Sequence, residues 1–70
     1  MKTIRFIYEN IDGVRKSADI VCVPFAGIHM RTMYSAGYRL TYIMHSNPDL
    51  VDEMRRLWDT ITHGEVYENA

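Results

Sequence analysis

The chain has one cysteine, two prolines and four glycines in 70 residues. No apolar run approaches the roughly 20 residues that a membrane-spanning helix needs. A lone cysteine excludes an internal disulfide framework, so stability must come from packing or association. Nothing at the amino terminus, where Lys2 and Arg5 flank short apolar groups, has the form of a signal peptide. The expected setting is a soluble protein of the cytoplasm that makes no membrane contact. Charge of one sign is missing too, since eight Lys and Arg meet nine Asp and Glu. Standard chemical motifs are absent: no G-x-G-x-x-G, no phosphate loop ending in Lys-Ser/Thr, no paired Cys-x-x-Cys, no His-Glu-x-x-His. Ser17, Ser35 and Ser46 lie in no nucleophile elbow. A chain this short buries roughly 60% of its unfolded surface, which leaves little room for a catalytic cleft beside a core.

What is present begins with a hairpin. Thr3 to Glu9 alternates, with Ile4, Phe6 and Tyr8 on one side and Arg5, Ile7 and Glu9 on the other. Asn10-Ile11-Asp12-Gly13 follows, then a second extended run from Val14 to Val23. A two-residue Asp12-Gly13 turn would oppose Phe6 to Asp19. A three-residue loop with Gly13 left-handed opposes Ile4 to Ile20, Phe6 to Ala18, Arg5 to Asp19 and Glu9 to Arg15. Like meets like on both faces only in the second register, and a one-residue slip would reverse every side chain. The three-residue loop is therefore predicted.

Pro24 is expected to end the ladder, because it donates no main-chain hydrogen bond. Phe25, Ala26, Met30, Met33 and Tyr34 then fall at helical spacing up to Ala36, with Ile28 partly off the stripe, Gly27 weakening the first turn and Gly37 in the C′ position. Tyr38 to Met44 alternates as a third strand, which would turn Tyr38, Leu40, Tyr42 and Met44 inward and Arg39, Thr41 and Ile43 outward. Asn47 is placed to cap a last helix, with Pro48 at its first position and Asp49 in its first turn. Leu50, Val51, Met54, Leu57, Trp58 and Ile61 form its apolar stripe. His63 and Gly64 are expected to close it, leaving a frayed tail at 65–70.

The order β-β-α-β-α predicts an α+β fold, a single domain over 1–64. A right-handed crossover gives a three-stranded sheet of order 2-1-3 with both helices packed on one face. The other face would then hold Ile7, Val21, Val23 and Ile43 among Arg5, Arg15 and Arg39.

Candidate chemistry is sparse. Cys22, His29, His45 and His63 are the ligand types zinc prefers, but the histidines stand 16 and 18 residues apart, without the close pairs of structural sites. The reading is no metal and no cofactor. His45 and Asp49 form the one acid–base pair brought close by sequence, which defines a small-enzyme alternative. Arg5, Arg15, Arg31 and Arg39 define a nucleic-acid-binding alternative, weakened by the charge balance and by the inward aromatics. Five tyrosines, five methionines and one tryptophan favour a third reading, since these types are enriched at protein interfaces. The preferred expectation is a non-enzymatic protein-binding module whose partner, or second copy in a homodimer, meets Arg5, Ile7, Arg15, Val21, Arg39 and Ile43. A phage or mobile-element inhibitor that occludes a host enzyme is one setting such a domain suits. The alternative of Asp49, Asp52, Glu53 and Asp59 mimicking phosphates is weaker, because Arg55 and Arg56 interrupt that surface.

Overall fold

A computed structural model describes residues 3–21 and 23–68. Its first feature is the hairpin of β1 (Ile4–Glu9) and β2 (Arg15–Ile20), which pair antiparallel with Ile4 opposite Ile20, Phe6 opposite Ala18 and Glu9 opposite Arg15. The loop has three residues, as predicted. The Asn10 N–H donates to the Val14 carbonyl at 3.0 Å, and Gly13 has φ +82°, a left-handed conformation that a β-carbon would strain. The Asn10 side-chain oxygen also accepts the N–H groups of Asp12 and Val14, at 3.0 and 2.9 Å.

β2 stops at Ile20, and Val21 lies in a bend. The expected extended run to Val23 is therefore too long. Val23 and Pro24 open helix α1 (Val23–Ser35), because the first helical turn makes no use of the N–H that proline lacks. At the other end the Tyr38 N–H reaches the Met33 carbonyl and the Gly37 N–H reaches that of Tyr34, both at 3.0 Å, with Gly37 at φ +91°. This is the Schellman arrangement that the position of Gly37 predicts.

β3 (Arg39–Met44) pairs antiparallel with β1, giving a sheet of order β2-β1-β3. Helix α2 (Pro48–Glu68) follows, capped by the Asn47 side-chain oxygen accepting the Asp49 N–H at 2.9 Å. It continues beyond Gly64, where closure is expected. The expected tail thus overlaps its last residues, and Asn69 and Ala70 lie outside the described ones.

Both helices lie over one face of the sheet. Ile4, Phe6, Tyr8, Ala26, Met30, Ile43, Met54 and Ile61 form the buried core, with Leu40, Leu50, Leu57 and Trp58 packed against it. Phe6 and Tyr8 are completely buried, so the aromatic side of the hairpin looks inward. Two expectations about the core fail. The first concerns β3. Leu40 lies opposite Tyr8 and Tyr42 opposite Ile7, leaving Thr41 as an extra residue in a β-bulge. The bulge reverses the alternation beyond it, so Ile43 enters the core opposite Phe6 while Tyr42 and Met44 turn outward. The second concerns α1, where Phe25 is 57% exposed and only Ala26 and Met30 are fully buried. A helix apolar on most sides does not declare which stripe it buries.

These placements separate two substitutions that the sequence pattern treats alike. Met54→Ala should cost on the order of 2–5 kcal/mol through cavity formation. Phe25→Ala should stay within about 0.5 kcal/mol of the parent. Urea denaturation of both variants checks the difference.

Candidate interaction face

The sheet face turned away from the helices presents three rows. Arg5, Ile7 and Glu9 occupy the central strand; Asp19, Ser17 and Arg15 stand opposite them on β2, and Met44, Tyr42 and Arg39 on β3. Its apolar content is the diagonal from half-buried Ile7 to Tyr42 and Met44, which are 53% and 44% exposed. The bulge is secured by the Thr41 hydroxyl, which donates to the Ile7 carbonyl at 3.0 Å.

Charge on this face is largely self-matched. The Arg5 guanidinium donates twice to Asp19, Nε to Oδ1 at 2.8 Å and Nη2 to Oδ2 at 3.2 Å. That hydrogen bonding raises the Arg5 pKa and, with the same partner, holds the Asp19 carboxyl below its ordinary value. Arg15 Nε stands 3.9 Å from Glu9 Oε1. Both pairs are solvated and contribute little to stability; their effect is to fix where the charges point. Arg39 makes no ion pair among the described residues.

At the hairpin end the face runs into an open depression of about 400 Å³ lined by Glu9, Asn10, Ile11, Gly37, Arg39 and Thr41. Ile11 stands at its rim with 98% of its surface exposed. Four local hydrogen bonds in the turn hold this isoleucine in water. The sequence signal for it was a branched apolar residue between Asn10 and Asp12, where turns favour polar types.

Of the six residues expected at the interface, Arg5, Ile7, Arg15 and Arg39 lie on this face. Val21 is exposed but sits in the bend after β2, and Val23, also expected there, belongs to α1. Ile43 is in the core, and Tyr42 takes the outward place expected for it. A second apolar surface went unanticipated: Phe25 and Ile28, 57% and 63% exposed, follow Val21 along the outer side of α1.

The remaining candidates are not assembled. His45 Nδ1 accepts the Asn47 N–H at 3.0 Å, while Asn47 caps Asp49. His45 and Asp49 thus serve the same helix start, and no hydrogen bond or ion pair joins them among the described residues. No three potential metal ligands converge among the described residues, and Cys22 lies outside these. No described helix is long and apolar enough to cross a membrane. Of the arginines proposed for nucleic acid, Arg5 and Arg15 face carboxylates that would repel phosphate, and Arg31 is on α1. Tyr42 is the one aromatic that β3 turns outward.

No protein-family model, curated protein or solved structure matches the chain.

One buried polar contact lies beneath the face. The Tyr8 hydroxyl is 3.1 Å from His29 Nδ1, and burial pushes the Tyr8 phenol up to about 12. A phenol whose folded-state pKa is raised contributes stability that is complete below its unfolded value, 10.0, and is lost as pH rises towards 12. Chemical denaturation should therefore show the parent losing stability above about pH 10 more steeply than Tyr8→Phe. Near neutrality Tyr8→Phe should be the weaker protein by about 1 kcal/mol, the worth of one hydrogen bond.

Proposed function

We propose that this chain is a non-enzymatic protein-binding module that receives its partner on the open sheet face. The observation that carries the reading is the row Ile7–Tyr42–Met44, left uncovered by both helices and framed by Arg5 and Arg39. Tyrosine, methionine and arginine are the types that protein interfaces concentrate, and oriented ion pairs at the margin favour specificity over raw affinity. The partner packs across the β1–β3 rows, and Ile11 anchors the hairpin end. Binding alone then produces the effect: a domain lying flat on an enzyme occludes its surface without reacting with it. An inhibitor of a host enzyme, of the sort phage and mobile elements carry, fits that mode of action. A nucleic-acid partner is less favoured, because Asp19 and Glu9 share the face with Arg5 and Arg15.

Site-specific photo-cross-linking in extract of the native host tests this. A photoreactive residue replacing Tyr42 should form a stoichiometric protein adduct, and one replacing Asp52 on α2 should not. Ile7→Asp should reduce capture at least about tenfold while leaving the circular dichroism unchanged. Adducts between two copies, with a doubled mass by light scattering, would identify the partner as this chain itself. Adducts only from Ile28 would transfer the interface to α1, and salt-sensitive nucleic-acid adducts would replace a protein partner.

A further inference from the structure

We propose that the hollow between α1, β3 and α2 binds a small ligand consisting of an aromatic ring bearing a carboxylate or phosphate. The hollow holds about 280 Å³ and is lined by Tyr34, Arg39, Trp58, Thr62 and His63. That volume, at the small end of ligand pockets, suits one substituted ring.

Its two sides differ in chemistry. Tyr34 and Trp58 form an aromatic wall, their rings 5.7 Å apart and nearly perpendicular at 84°. Trp58 is braced from behind by Tyr8, at 6.1 Å between centroids, so this wall is fixed by the core. A flat ring gains most against such a surface, by burial and by edge-to-face contact.

The β3 side is cationic: Arg39, at the sheet edge, borders both the open-face depression and this hollow. Arg5 and Arg15 have carboxylates within reach, whereas Arg39 has none among the described residues. Among the described residues the lining contains no acidic side chain. A guanidinium that has no carboxylate within reach among the described residues, beside an aromatic wall, is suited to a planar oxyanion, which it can meet with two hydrogen bonds.

His63 completes the anion side. The Thr62 hydroxyl donates to the Trp58 carbonyl at 3.0 Å and lies 3.1 Å from His63 Nδ1. With that hydrogen committed, Nδ1–H donates to Thr62 Oγ1, and a protonated ring offers Nε2–H to the ligand. Among the described residues, the other titratable groups lining the hollow are Arg39 from β3 and Tyr34 from α1; Asp59 lies one turn earlier on α2.

Trp58 is the sole tryptophan, so its fluorescence reports on the hollow directly. Benzoate, ionised throughout the histidine range, should change that fluorescence saturably. Benzyl alcohol, of similar shape and no charge, should bind at least about tenfold more weakly, as should benzoate to Arg39→Gln. Arg5→Gln and Tyr42→Asp, both on the open sheet face, should leave benzoate binding unchanged, which separates this site from the protein-binding one. His63→Gln, which removes a ring donor from the lining, should weaken benzoate binding. A non-saturating signal, equal binding of benzyl alcohol, or an Arg39→Gln variant that binds like the parent would overturn the proposal. Phenyl phosphate binding where benzoate does not would restrict the ligand to aryl phosphates.

Discussion

One extra residue in an edge strand decides what both faces of this sheet present. With Thr41 set aside as a bulge, Leu40 and Ile43 both reach the core, and Tyr42 and Met44 both face away from it. Strict alternation from Leu40 onward would instead have put two larger, more polarisable side chains under the helices and left Ile43 in water. The core has little space to give: Phe6, Tyr8, Met30 and Met54 are already fully enclosed. A compact isoleucine opposite Phe6 closes the layer, and the tyrosine hydroxyl keeps its water. The Thr41 hydroxyl bond to Ile7 ties the bulge to the central strand, so the core and the outer apolar row depend on the same contact.

The arginines divide along similar lines. Arg5 and Arg15 each stand across the hairpin from a carboxylate, a consequence of the three-residue loop that sets the β1–β2 register. Arg39 stands across from the same Glu9 on the other side, but that carboxylate is nearest Arg15. Among the described residues, one acidic residue between two strands thus leaves one arginine of this face over, on the strand whose edge borders both the sheet-end depression and the aromatic hollow. The chain's charge balance conceals this, because a sum over the sequence says nothing about which cation lacks a neighbour.

Where local chemistry sets the backbone, the sequence was readable. Gly13 and Gly37 mark the two left-handed positions, Asn47-Pro48-Asp49 marks a helix start, and cross-strand matching of Arg5 with Asp19 chose the hairpin register. The order of the strands follows from these and from crossover handedness. The bulge left no comparable mark. It contains no glycine, and the residues on either side of it, Leu40, Tyr42, Ile43 and Met44, are apolar enough to serve either face. The exposure of Phe25 was hidden for the same reason, since it falls at helical spacing with the residues actually buried, whereas Ile28 stands partly off that stripe and is exposed. Sites that depend on tertiary placement, such as the approach of Arg39 to Trp58 and His63, have no signature in spacing at all.

The two sheet edges constrain how a partner can engage. A three-stranded sheet exposes the unpaired hydrogen-bonding groups of both outer strands, and strand addition is the readiest way for another chain to use them. Here β2 is short and carries Arg15, Lys16 and Asp19, with the Lys16 ammonium drawn over the Tyr38 ring at 5.8 Å. β3 is interrupted by its bulge after Leu40, which breaks the regular ladder that an added strand would need. Both edges are thereby poor templates for backbone pairing. On the proposed reading, recognition runs through side chains on the open face, with Ile7, Tyr42 and Met44 as contact area and the flanking ion pairs as orientation. A partner of the proposed kind would be selected by shape and charge, and removing the bulge would take Tyr42 and Met44 from the face that selects it, even where the strand order survives.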